Sequence, residues 1–308
     1  MEFITRSDEI GKIGQYPGAR SIEELLHNGL VILDKWSGPT SHDVAATVKK
    51  TLGLPKVGHG GTLDPMVTGV LAITLDNACK VIPALQGQDK EYIGIMRMHK
   101  DVSIEDVKSA AKNFIGRIKQ MPPLRSAVVR KERMRIVHAL NIIEMEERDV
   151  LFHVICEAGT YIRVICHDIG KQLGGANMSE LRRTRAGIFD ESACVRMEDL
   201  ADAYSDWKEN GSEAIRKYVQ PVEAAVEHLP KIIVKDSALL SIANGSPIYT
   251  PAISKISSNL LSGDMVAVLS LRGELVALAN AAMDARETTR KGIAAKTDRV
   301  VIDKKKLM

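Results

Sequence analysis

Apolar positions along the chain follow two rhythms, one of three to four residues and one of two, and their order lays out the elements. RSIEELLHNG predicts a short helix: Ser21 can cap it, Glu23 and Glu24 fall in its first turn, and Gly29 follows its end. LVILDK is then a buried strand. After the turn residues SGPT, Ser41 is placed to cap a helix that aligns Val44, Val48 and Leu52 on one face. TGVLAITL reads as a continuous apolar strand, NACKVIPAL as a helix-like stretch, and KEYIGIMRMH as a strand whose side chains alternate in direction. SIEDVKSAAKNFIGRI sets Ile104, Val107, Ala111, Phe114 and Ile118 at helical spacing, and the prolines Pro122 and Pro123 forbid a helix after it. IVHALNIIEMEERDVLFHVICEAG alternates about a charged turn at Glu147 to Asp149, which predicts a long hairpin. In TYIRVICHDIGKQLG, a helix capped by Thr160 turns Ile162, Ile165, Ile169 and Leu173 inward and leaves Arg163 and His167 together on the opposite face. This mixture of hairpins and helices predicts an α+β fold, with a mixed, largely antiparallel central sheet flanked by helices.

Between residues 203 and 230 the chain becomes polar and proline-punctuated, and a junction is placed there. Beyond it KIIV, SPIYT and DMVAVLSLRGELVALANAAM are short strands, with a small helix in SALLSIANG and a turn at Arg272 and Gly273. That makes a small, mostly β unit of about 75 residues, just large enough for its own core. The expected division is an extension over 1–19, a main body over 20–225 and the β unit over 226–303.

Composition narrows the class. Hydrophobic residues make up 45% and charged ones 26% of the 308, the balance of a folded globular protein rather than a disordered one. Apolar runs fall short of a membrane helix and the N-terminus lacks targeting patterns, so the expectation is a cytoplasmic protein with no membrane association. The cysteines Cys79, Cys156, Cys166 and Cys194 are too widely spaced for a zinc knuckle and are read as buried free thiols. Net charge is only +3, but its distribution is uneven. Seven basic residues against one acid lie between Arg117 and Arg135 (Arg117, Lys119, Arg125, Arg130, Lys131, Arg133 and Arg135, against Glu132). LRRTR adds Arg182, Arg183 and Arg185, and the tail from Arg286 carries eight basic residues against three acidic. One such cluster is ordinarily a solvated face; three in a near-neutral chain point to a polyanion such as RNA.

The segment GHGGTLDPMVTGVL, Gly58 to Leu71, sets the lone carboxylate Asp64 on a glycine-rich turn, with Pro65 holding its backbone extended. It lacks the Gly-Lys-Ser/Thr ending of a phosphate loop. No local acid pairs with Asp64 as a glycosidase requires. An isolated Asp-Pro often only turns the chain, and spacing alone leaves that open.

GHGGTLDPMVTGVL, DKWSGPTSHDV, KEYIG, GTYIRVICHDIG and LRRTRAG, in this order, resemble the motif set of the TruB/dyskerin family of RNA pseudouridine synthases. RSIEELLHNG and QPVEAAVEHLPKIIVKDSA extend the likeness to its archaeal and eukaryotic branch, which ends in a PUA domain. The resemblance implies a pseudouridine synthase fold over 20–225 and an RNA-binding PUA domain over 226–303. It implies that Asp64 isomerises a uridine in RNA, either by attacking the ribose C1′ or by removing the 2′ proton to form a glycal. Arg163 of TYIR matches the cation that steadies the carboxylate, and an arginine suits that task because it stays protonated and binds bidentately. Tyr92 of KEYIG matches the catalytic tyrosine that stacks on an extruded base, and the resemblance gives it a part in removing the C5 proton. Tyr161 and Leu181 match pocket-lining positions and His59 a loop histidine that holds the extruded nucleotide, while Lys35 is either structural or in contact with phosphate. No cofactor and no metal are implied. Partners are RNA, as an H/ACA guide and an rRNA or tRNA substrate, together with small H/ACA ribonucleoprotein proteins. The near absence of an insertion after KEYIGIMRMH favours guided action. Stand-alone action on the tRNA TΨC arm and a non-catalytic RNA-binding scaffold are the alternatives. Three departures stand out: Trp36 in place of a proline, Met66 in place of a lysine, and a thinner basic run in VVRKERMRIV.

Overall fold

The structure, a computed structural model, describes residues 2–122 and 131–307. Two sheets organise it. The larger runs in the order Gln220–Pro221, Gly29–Lys35, Thr68–Leu75, Ala176–Ala186, Lys90–Met98, Asp149–Cys156, Arg133–Glu146, Gly116–Gln120, with Val57–His59 and Phe189–Asp190 as side branches. Its neighbours are antiparallel except where Thr68–Leu75 meets Ala176–Ala186 in parallel. That junction is short and close. Gly69 there has φ 98°, and a Cβ on it would lie 2.2 Å from the Arg183 carbonyl oxygen, so glycine is required.

Helices Ser41–Thr51, Ile104–Lys112 and Ile162–Gln172 supply Val44, Val48, Val107, Ile162, Ile165 and Ile169 to one apolar core with the inward side chains of the larger sheet. The hairpin forms as expected, turning at Glu147, whose φ is 51°. Local expectations needed four corrections. Thr40 caps the Ser41–Thr51 helix in a capping box with Asp43, while Ser41 is its first residue and spends its hydroxyl elsewhere. The next helix stops at Lys112; Phe114 lies beyond it, and Ile118 belongs to the strand that follows Gly116 at φ 90°. Tyr161, not Thr160, occupies the N-cap position of Ile162–Gln172, and the Thr160 hydroxyl donates to the Glu157 carbonyl. Cys79, Cys156 and Cys166 are buried free thiols, whereas Cys194 is only half-buried.

The second sheet, in the order Phe3–Thr5, Ile253–Ser257, Lys231–Val234, Met265–Leu269, Leu275–Ala281, Ile293–Val300, Ile248–Tyr249, has its own core with the Asp236–Ala243 helix. The N-terminal segment is part of this unit, because Phe3–Thr5 pairs antiparallel with Ile253–Ser257. A third apolar cluster joins the two bodies, with Leu30, Ile32 and Val70 on one side and Ala267, Leu275 and Leu278 on the other. Beside it buried Arg20 donates to both carboxylate oxygens of Glu223 at 2.6 and 2.8 Å and lies 3.6 Å from Glu274. Among the described residues no helix is long and apolar enough to cross a membrane.

Candidate active site

The loop that carries Asp64 is pinned from both sides. Gly60 N donates to the Ala72 carbonyl, and the Ser41 hydroxyl accepts from Leu63 N at 2.8 Å and donates to Leu63 O at 3.2 Å. Val67 N closes a turn on the Asp64 carbonyl, and Gly38 N donates to Pro65 O. Lys35 completes the arrangement from below: its ammonium donates to the carbonyls of Trp36, Pro65 and Val67 at 2.8 to 2.9 Å. A lysine has three protons to give, and all are taken. Lys35 is 0% exposed, so the phosphate-contacting alternative is corrected: it holds two turns together beneath the site.

Asp64 itself faces outward. Its Oδ2 lies 3.3 Å from Nη1 of Arg163, with the side chains 42% and 35% exposed. Arg163 is the second residue of the Ile162–Gln172 helix, about a hundred positions along the chain, and its guanidinium also lies 5.9 Å from the centre of the Tyr161 ring. Gln120 fixes this helix start, accepting from Tyr161 N at 3.0 Å and donating to Tyr161 O at 3.1 Å. Nε of Arg163 is buried with no partner among the described residues.

Asp64, Tyr92, Tyr161, Arg163 and Leu181 line one cleft of about 390 Å3, together with Lys90, Met178 and Arg183. Past Asp64 and Arg163 it opens into a wider groove of about 890 Å3 bordered by Met66, Lys119, His167 and Lys171. Tyr92 and Leu181 are buried on adjacent strands, where Leu181 pairs with Gly94, a position at which a Cβ would lie 2.8 Å from the leucine side chain. Burial pushes the Tyr92 phenol above its ordinary pKa. His59 ends the Val57–His59 strand and is not among the described residues that line the cleft; its ring meets His42 edge-on at 6.3 Å, its buried Nδ1 has no partner among the described residues, and burial, with His42 and Arg183, lowers its pKa.

The basic clusters fare unevenly. Arg125 and Arg130 lie outside the described residues, as does Pro123. Lys119 pairs with Glu132 at 2.6 Å, and Arg135 lies 3.8 Å from Glu157. LRRTR is no open cationic face: Arg182 is bidentate to Asp34 and also binds Glu191, Arg185 binds Glu91, and Arg183 is buried. Sequence reading missed Arg183 and Lys90 as cleft residues. The signal was the period of two in Ala176–Ala186, which puts Arg183 on the same face as Leu181.

Comparison with known proteins gives a consistent family. The TruB family pseudouridylate synthase (N terminal domain) profile matches residues 49–162, the tRNA pseudouridylate synthase B C-terminal domain residues 163–227, a PUA domain residues 230–301 and a DKCLD domain residues 4–45. A probable tRNA pseudouridine synthase B of Archaeoglobus fulgidus is 47% identical over 295 residues, 94% of this chain and 91% of the relative. Its counterpart in Pyrococcus abyssi is 48% identical over 307 residues, 97% of this chain and 92% of the relative. Among solved structures, one chain of a Cbf5-Nop10-Gar1 complex superposes with TM-score 0.92 at 45% identity, covering 99% of this chain and 95% of that one. A chain of an H/ACA RNP bound to a substrate RNA containing 2′-deoxyuridine gives TM-score 0.91 at 43% identity, covering 99% and 96%.

Proposed function

The chain belongs to the TruB family of pseudouridylate synthases and is an RNA pseudouridine synthase, and from that premise we propose that Asp64 is its catalytic carboxylate and that an H/ACA guide RNA selects its target uridine. The observation that carries the reading is the contact between Asp64 and Arg163 at the mouth of a cleft of about 390 Å3, which has room for a flipped base. The reaction detaches uracil from the ribose C1′, turns it and rejoins it through C5, with every atom kept. Asp64 receives the sugar carbon or the 2′ proton, while Arg163 holds the carboxylate by its charge. Tyr92 and Leu181 offer the flipped base an apolar and aromatic wall that offsets its lost stacking. Tyr161 borders the same cleft. His59 stands outside the lining of this cleft, with its ring against His42.

Guided action is supported by the likeness, over nearly the full chain, to proteins solved in H/ACA complexes. On this reading small H/ACA proteins are partners, residues 20–225 act on the uridine, and the β unit over 226–303 holds RNA away from the site through phosphate contacts. Action on tRNA without a guide is the second reading, favoured by the names of the two relatives compared above. A cytoplasmic location accords with three buried free thiols. The test is to map pseudouridine in a target RNA incubated with the protein, with and without guide RNA and partner proteins. Conversion that appears only with the guide supports the first reading; equal conversion of bare tRNA replaces it with the second.

A further inference from the structure

The cleft carries more positive charge than its known chemistry uses. Among the described residues that line it, Asp64 is the one carboxylate, facing three cations, Arg163, Lys90 and Arg183. Arg163 is partnered by Asp64, but the other two pair with no carboxylate among the described residues. Arg183 is 2% exposed, with Nε donating to Val70 O at 2.7 Å and Nη2 to Gly61 O at 3.3 Å. It is the cross-strand neighbour of Tyr92, and its positive charge acts on the phenol. A guanidinium has five N–H donors, so these contacts leave donors over. Lys90, 6% exposed, gives its protons to the carbonyls of Leu85, Gln86 and Gln88 and lends the cleft its charge alone.

Burying cations without a counter-ion is costly, and carbonyl contacts repay only part of that cost. Such a pair is explained by an anion that arrives during turnover. The substrate base is neutral, but the reaction makes it negative. When the C1′–N1 bond breaks, its electron pair goes to N1 and spreads to O2 and O4, whether Asp64 then bonds C1′ or takes the 2′ proton. The pair is spent again when C5 bonds C1′; Asp64 leaves C1′ on the first route or returns the proton to C2′ on the second, and the proton lost from C5 is balanced by one gained at N1. We propose that Arg183, backed by the charge of Lys90, is a further catalytic residue that stabilises the uracil anion between cleavage and reattachment. An RNA phosphate is the other anion at hand, but Arg183 lies at the cleft floor beside Tyr92, while Arg163 and Lys171 stand nearer the rim.

The inference rests on the reading of this cleft as the uridine site, and leaving-group chemistry separates the two. Fluorine at C5 of uracil stabilises the departing anion, so it relieves a defect in anion stabilisation and not a defect in loop placement. Single-turnover loss of uridine and of 5-fluorouridine is measured from the same target RNA, under whichever guided or unguided condition the unaltered chain needs. Arg183→Lys is expected to slow uridine by about 100-fold, with the deficit shrinking below about 10-fold on 5-fluorouridine and RNA affinity kept within about threefold. Lys90→Met, which leaves the Arg183 contacts in place, is expected to show the same selectivity at smaller size and serves if Arg183→Lys does not fold. Equal deficits on both substrates in both variants overturn the proposal and leave Arg183 as a pin for the loop. A loss confined to RNA affinity, and matched by a methylphosphonate beside the target, overturns it in favour of a phosphate site. Inactivity of the unaltered chain on uridine instead sinks the reading of the cleft.

Discussion

Lys35 shows how a single side chain can be misjudged from its neighbours in sequence. Beside GPTSH it reads equally as a phosphate contact or a support, and the deciding fact, that three carbonyls converge on its ammonium, depends on Pro65 and Val67 some thirty residues later. Lys35→Met is expected to cost about 3 kcal/mol of stability, because three buried acceptors lose their donor. The slope of RNA affinity against salt should stay unchanged, whereas a lysine on phosphate would take about one unit of slope with it. Lys90 makes a pH prediction. Burial, with Arg183 adding to it, lowers its pKa from 10.5 to about 8. The native state therefore sheds this proton near pH 8 and the unfolded chain only near 10.5, so the unfolded chain binds more protons in that window and stability rises with pH across it. Denaturant melts of Lys90→Met at pH 8 and pH 10 should show a shallower rise than the parent, with Lys231, also lowered to about 8, keeping its own share. An unchanged rise would contradict this account of Lys90.

At the scale of elements, periodic segments were legible and charged ones were not. The hairpin Arg133–Glu146 to Asp149–Cys156 and the helix Ile162–Gln172 follow from apolar spacing, since each buries one face against the same core. Ala176–Ala186 was not read as a strand, though it lies between Thr68–Leu75 and Lys90–Met98 near the middle of the sheet. Its run ANMSELRRTRA looks like a solvated basic cluster because the acids that neutralise it, Asp34, Glu91 and Glu191, come largely from distant segments. The parallel junction of this strand places Arg183 under the Asp64 loop, and Gly69 sets how closely the two strands meet. Gly69→Ala should therefore cost about 3 kcal/mol or more in thermal or denaturant unfolding, through contact with the Arg183 carbonyl and the left-handed φ. A variant as stable as the parent would show that the junction has slack.

For the whole molecule, motif order in the sequence pointed to the family, and the fold brings Asp64, Tyr92, Tyr161, Arg163 and Leu181 to one cleft from two strands, a loop and a helix start. The sequence did not disclose how the ends meet. Phe3–Thr5 is too short for a periodic signal, yet it extends the second sheet, and the Arg20 clasp to Glu223 and Glu274 joins residues more than two hundred positions apart. These contacts give the β unit a fixed seat on the body that holds the cleft. The claim that Asp64 performs the isomerisation is tested most directly by pseudouridine mapping with Asp64→Asn, in parallel with RNA binding. The side chain keeps its size and half its hydrogen-bonding capacity but loses its charge. Conversion should fall by at least about a thousandfold while RNA affinity stays within about threefold. Conversion within tenfold of the unaltered chain would contradict the assignment.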